Sequence, residues 1–515
     1  MKNKNILFPI FIAFAFFTTS CDDYLDVAPD NRTVIDSEDK ITELLVSAYP
    51  TSSYCYLAGL ASDNIDDNGG SWTPYDRLQT QAYSWQDITE TDTDSPQELW
   101  DACYKAVGTA NEALEAIGAS SDIGRLDAQK GEALMCRAYA HFVLVNIFCK
   151  NYSETTSEAD LGIPYSKAPE ITVNPKYERS TVAEVYQKIN TDIETALPLI
   201  SDDIYSVPKY HFNKKAAYAF ATRFNLYYRK YDKVIEYATK VLGTNPASVL
   251  RDWEYAGTLS QNDDMRGNEF ISANNRASLM LLSVNSVWGR IHGPYKSGSK
   301  YAHNKTISNT ETTGSTGTWG AYTNFYYLYA SYSSLPKVVI RKMNEYFEYT
   351  DAVNGIGLAH IILPAFTTDE TLLCRAEAYV FQKQYDKATE DLATFQTAFS
   401  LSEPLTRDKI SSFYSGIDYY TPTEPTVKKE LHPDFTVEAG EQENFIQCIL
   451  HMRRVLTIHE GLRWFDVKRY GIEIYRRIVE NNTITVTDDL PADDPRRAMQ
   501  LPQDVINAGM VANPR

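Results

Sequence analysis

A chain of 515 residues, 43% of them hydrophobic, is long enough for a large core, and its formal net charge of −19 opposes contact with nucleic-acid phosphates and anionic lipid. Neutral or cationic ligands suit it better. Seven cysteines without a C-x-x-C spacing, in a chain with this much core, argue against a disulfide framework.

The first element is a signal. Lys2 and Lys4 precede Ile6 to Phe17, apolar apart from Pro9, a run too short to cross a bilayer and shaped like a signal-peptide core. Thr18-Thr19-Ser20-Cys21 follows, small residues before a cysteine, which is how a lipoprotein signal ends. Thr18 stands where a lipobox usually carries Leu, and an ordinary secretory signal is the competing reading. On the lipoprotein reading residues 1–20 are removed and Cys21 carries the acyl chains. No later apolar run approaches spanning length, so lipid is expected to hold this protein at a membrane.

Helical periodicity then dominates. Trp100, Cys103, Val107, Ala110, Leu114 and Ile117 recur every three or four residues and predict one helix face over Gln97 to Ile117. Leu134, Ala138, Phe142, Val145 and Cys149 predict its antiparallel partner. A second pair is expected over Thr181 to Ile200 and Asn213 to Arg229, running on into Tyr231 to Leu242. YYRKYDKVIEYATKVL near Tyr231 and FQKQYDKATEDLATFQ near Tyr385 share the pattern of tetratricopeptide helix turns, with Tyr-Asp-Lys marking the bend. Their spacing is irregular, so the expected fold is mainly α, an imperfect helix-pair scaffold decorated by insertions. A last helix is expected over Glu441 to His459. Five of the six cysteines after Cys21 fall on apolar helix faces and read as buried thiols.

Thr51 to Pro96 and Arg251 to Leu335 are rich in Gly, Ser, Thr, Asn, Tyr and Trp, too aromatic for disorder, and read as ordered binding loops. Trp72, Trp85, Trp288 and Trp319 stand there without a helical stripe to join. A flat indole suits the C–H face of a pyranose while polar neighbours bond the hydroxyls. Each of the four could instead pack its own loop on the scaffold. Tyr83, Arg290, Tyr295, Tyr322 and Asn324 are the expected companions. Trp100, Trp253 and Trp464 read as packing residues, and Arg341 and Arg375 as ion-pair partners on helices.

Enzyme motifs fare poorly. His459-Glu460-Gly461-Leu462-Arg463 opens like H-E-x-x-H but has Arg where the second zinc ligand belongs. Asn64, Asp66, Asn68 and Gly69 match half a calcium loop, yet Tyr75 stands where a bidentate Glu is needed. No G-x-S-x-G, Walker A or dinucleotide fingerprint occurs, and neither a catalytic residue nor a metal or cofactor is assigned. Carboxylates are plentiful, so a surface glycoside hydrolase stays open as an alternative.

Four stretches in order resemble the SusD/RagB family of outer-membrane nutrient-binding lipoproteins of Bacteroidetes. They are CDDYLDVAPDNRTV, GEALMCRAYAHFVLVNIFCKNY followed by GIPY, LLCRAEAYVFQKQYDKA, and RRVLTIHEGLRWFDVKRYG, the last similar to the family's Arg-Trp-Phe-Asp-x-Lys-Arg signature. The resemblance implies one SusD-like domain over 21–515, with an N-terminal part to about 250 and a C-terminal part from about 251. It implies four tetratricopeptide-like helix pairs and a ligand face of inserted loops. It also implies capture of an oligosaccharide, or in a RagB-like minority a peptide, and delivery to a SusC-like TonB-dependent transporter. Asp22 and Asp23 look like the signal that sends such lipoproteins to the outer face of the outer membrane.

Overall fold

The computed structural model describes residues 35, 37–120, 123–170, 176–261, 264–327, 330–331, 334–480 and 483–515. The signal segment, Cys21, Asp22 and Asp23 lie outside the described residues. Two short helices, α1 (Glu38–Leu45) and α2 (Cys55–Ala61), and a third, α3 (Arg77–Tyr83), precede the first long pair.

That pair is α4 (Pro96–Ala119) and α5 (Asp127–Phe148). Ser95 starts α4 by accepting the Glu98 amide at 3.1 Å, with Pro96 in the first turn where no amide proton is required. The stripe from Trp100 to Ile117 faces inward as its spacing predicts. Helix α5 is buried on nearly every side because α4 and then α6 (Val182–Ala196) pack along it. Arg137 on α5 meets Asp192 on α6 through two bonds of 2.7 Å, and Thr181 and Glu184 form a reciprocal cap at the start of α6.

Helices α7 (Lys214–Tyr227) and α8 (Tyr231–Leu242) form the next pair, and Thr368–Phe381 with Tyr385–Phe399 another. Each Tyr-Asp-Lys opens the second helix of its pair. The bend before it is made by a left-handed residue, Arg229 at φ 61° and Lys383 at φ 58°. Arg407–Ser415 and Glu441–Leu456 make the fourth pair. The mainly α, tetratricopeptide-like scaffold is as expected, but α6 packs on α5 and α7 on α8 where the sequence suggests a pair of α6 with α7.

Two features differ from expectation. Thr51 to Pro96 and Arg251 to Leu335 are folded segments, containing α2, α3, the helices Trp253–Thr258, Met265–Phe270 and Lys305–Glu311, and the strand Ser278–Asn285. CYLAGLA and SLMLLSVN are buried along almost their whole length, so they show no period to read. Sheets also appear. Ser278–Asn285, Ile356–Thr367 and Tyr346–Asp351 form an antiparallel sheet in that order, and Tyr301–Ala302, Asp66–Asp67, Ile474–Glu480 and Thr483–Leu490 form a mixed sheet in which the middle two strands run parallel.

Cys55, Cys103, Cys136, Cys149, Cys374 and Cys448 are all buried and free, and burial pushes the Cys55 thiol up to about 12. Arg375 pairs with Asp391 at 2.7 Å. Arg341 pairs with Asp264 at 3.1 Å, but from irregular backbone and not from the helix expected of it.

Candidate functional site

The ground on which any loop face rests is the segment after α2, and arginines from the C-terminal region hold it. Arg463 grips both oxygens of Asp63 at 2.8 Å, and Arg454 donates to Asn64 Oδ1 at 2.8 Å. Arg477 binds both oxygens of Asp66 at 3.0 and 2.9 Å and reaches Glu311, which Lys429 also meets at 2.6 Å. Burial alone would raise the Glu311 carboxyl, yet the charges of Lys429, Arg454 and Arg477 outweigh it and hold the group down at about 2. Buried charges survive only when paired in this way. The half calcium loop has another use: Asn64 and Asp66 accept from guanidinium groups, and Asn68 Oδ1 accepts from Asn304 at 3.2 Å.

Three of the four candidate tryptophans are buried, and two of these, Trp85 and Trp288, belong to this ground. The Trp85 indole donates to the Ala61 carbonyl at 2.9 Å, and the rings of Trp85 and Tyr83 lie 4.0 and 4.1 Å from the Arg476 guanidinium. Arg476 in turn donates to the carbonyls of Leu60, Ala61 and Ser62 at the end of α2. Trp288, 1% exposed, donates to the His459 carbonyl at 2.7 Å and packs edge-on against Tyr56. Gly59 makes room for it, since a Cβ there would stand 2.8 Å from the indole. Trp319 is buried against Phe325 and His451. Tyr83 is likewise buried and stacked on Tyr301 at 4.2 Å. The reading of Tyr83, Trp85, Trp288 and Trp319 as ligand platforms is corrected: their faces are spent on packing.

Trp72, Arg290 and Tyr295 remain accessible, and the structure brings the segments that carry them together. The Asn68 amide donates to the Lys300 carbonyl at 2.7 Å, its side chain to Ser299 at 2.8 Å, and Gln79 to Gly298 at 2.9 Å. Arg290 leaves the short helix Trp288–His292 to reach Glu345 at 2.6 Å and the Tyr75 hydroxyl at 3.2 Å. The hydrogen bond to Glu345 raises the guanidinium above its ordinary range. The second Glu345 oxygen is buried without a protein donor. Tyr295 is 53% exposed, and Trp72 is half-buried on the same woven pair of segments. Beneath them Lys337 donates to the carbonyls of Ile291 and Ser297 at 2.6 and 3.4 Å, and burial pulls its ammonium down to about 7.

Tyr75 and Glu345 were missed in the sequence. Tyr75 shares the signal that singled out Trp72, an aromatic in the same loop; Glu345 carries none, because only the fold sets it beside Arg290. Tyr322 and Asn324 stand on a different patch. The Asn324 carbonyl accepts from Leu401 at 2.7 Å while its side chain caps the Trp319 carbonyl at 2.7 Å, and Tyr322 is 40% exposed beside it.

The arrangement can offer rings and a few fixed polar groups to a neutral, hydroxyl-rich molecule. Among the described residues no helix is long and apolar enough to cross a membrane, and no group of three His, Cys, Asp or Glu side chains could hold a metal.

A model of SusD-like proteins, described as starch-binding and associating with the outer membrane, matches residues 23–226. No curated protein matches the chain by sequence. A putative sugar-binding protein from Bacteroides vulgatus superposes with a TM-score of 0.67 at 18% identity, covering 94% of this chain and 99% of its own. A SusD superfamily protein from Bacteroides thetaiotaomicron gives 0.62 at 17% identity over 92% and 98%, and one from Bacteroides vulgatus gives 0.59 at 19% over 94% and 99%. A SusD-like model thus matches the N-terminal region of this chain, and the chain shares the fold of the SusD superfamily structures over nearly its whole length.

Proposed function

We propose that the protein is a surface lipoprotein, anchored through Cys21, that binds an oligosaccharide without transforming it and passes it to a SusC-like TonB-dependent transporter in the outer membrane. The family's description as starch-binding supports the ligand class. The observation that supports the site is Arg290 bonded to Tyr75 and Glu345, with Trp72 and Tyr295 carried on the same two interwoven segments. Arg290 is already neutralised by Glu345, which suits a neutral sugar: ring faces meet Trp72 and Tyr295, and hydroxyls meet the exposed edge of the guanidinium.

Titrating the mature chain with a panel of neutral and acidic oligosaccharides tests this reading. Saturable binding without release of new reducing ends is expected, and release of reducing ends would replace it with hydrolysis. Changing Cys21 to Ser is expected to leave an exported protein that no longer sediments with outer membranes; unchanged retention would remove the anchor from the account.

A further inference from the structure

Away from the Trp72 face, the N-terminal half of α4 lines a cleft of about 490 Å³, a volume that suits a small ligand. Its aromatic wall is Tyr104, packed on the buried Trp100 with the rings 4.9 Å apart, and the exposed Tyr177 lines it as well. Val505 and Met510 of the C-terminal segment close the far side. The walls are tied together. Arg179 bonds the Gly162 carbonyl at 2.6 Å on one side and the Val511 carbonyl and Asn513 at 2.9 and 2.8 Å on the other, while Tyr104 donates to the Pro164 carbonyl at 2.8 Å.

The charge of the lining is one-sided. Asp101, Glu170 and Glu178 contribute three carboxylates to the lining against the ammonium of Lys176, and the Arg179 guanidinium, bonded to neutral groups where it ties the walls, leaves carboxylates in excess by one. Asp101 accepts from the Gln97 amide at 2.9 Å and Glu170 from the Tyr177 hydroxyl, so neither of these bonds neutralises its charge. Ring faces beside uncompensated carboxylates make a surface that attracts a cation with an apolar body, since the ring quadrupole and the carboxylates act in the same direction. We propose that this cleft is a second ligand site, separate from the Trp72 face, and that it takes an organic cation: an amine or quaternary ammonium attached to a hydrophobic group.

The test uses the mature chain and three probes: benzyltrimethylammonium, its neutral counterpart benzyl alcohol, and maltotriose, each followed by calorimetric titration and by saturation transfer from protein to probe. The cation is expected to bind roughly tenfold more tightly than benzyl alcohol, and to weaken as salt is raised. Tyr177→Ala and Glu178→Gln, both at exposed positions, should each weaken it several-fold without moving the melting temperature, and Trp72→Ala should leave it unchanged. Equal affinity for benzyl alcohol, binding of maltotriose that Tyr177→Ala abolishes, or no saturable binding of the cation would each overturn the assignment.

Discussion

Trp72 and Trp288 stand in similar company in the sequence, among Gly, Ser and Tyr, and end in opposite situations. Trp288 lies under the face with its indole proton on the His459 carbonyl, 171 residues away; Trp72 keeps part of its ring in solvent. A Gly/Ser-rich neighbourhood therefore says where a ring is free of helical packing, not which way it points. What decides is whether the fold supplies a carbonyl for the indole nitrogen and a gap for the ring. For Trp288 it supplies both, the gap being Gly59. Trp85 finds its carbonyl on Ala61.

If the buried side of this comparison is scaffold, it should fail first in acid. Burial pulls His141, His292 and His451 to about 3 and His303 to about 4, against an ordinary value of 6.5. These groups are neutral in the folded chain and take protons when it unfolds. Their contribution is therefore complete above pH 6.5 and is lost as pH falls towards 4, at about 1.4 kcal/mol per unit for each histidine. Together they outweigh any single substitution. Urea midpoints followed from pH 7.5 to 4.5 should fall steadily, and a flat profile would show that these rings are not buried as described.

Substitution sharpens the same contrast. Trp288→Ala should cost about 3 to 5 kcal/mol of stability, as large core deletions do, measured as a shift in urea midpoint at constant slope. Arg477→Met leaves Asp66 and part of Glu311 without a partner in the interior and should cost a similar 3 to 5 kcal/mol. A loss below about 1 kcal/mol in either would move that residue out of the scaffold. Beneath the rim, Lys337→Met should leave the fold standing but loosen the Ile291 to Ser297 stretch that carries Tyr295, seen as faster amide exchange confined to that segment.

Much of the fold was legible because helix faces repeat over many residues. The stripe on α4 and the Tyr-Asp-Lys bends are local patterns with local causes. Short elements buried on all sides were not legible, as CYLAGLA and SLMLLSVN show, since complete burial erases the period. Of the proposed site, the residue types of Trp72, Arg290 and Tyr295 could be singled out in the sequence, while Glu345 meets Arg290 through a contact spanning 55 residues that no local pattern announces. The Arg-Trp-Phe-Asp stretch could be matched to a family but not explained; the structure gives its reason, with Arg463 holding Asp63 and Asp466 meeting Arg453 and Arg469.

On the function proposed above, recognition sits on the Trp72 and Tyr295 rim and not on the buried tryptophans. Calorimetric titration of Trp72→Ala with the tightest-binding oligosaccharide of the panel, paired with a thermal melt of the same preparation, is the decisive measurement. The expected result is a loss of roughly 2 kcal/mol in binding, about thirtyfold, with stability moved by less than about 0.5 kcal/mol. Unchanged affinity in Trp72→Ala and in Tyr295→Ala would place recognition elsewhere on the molecule and contradict it.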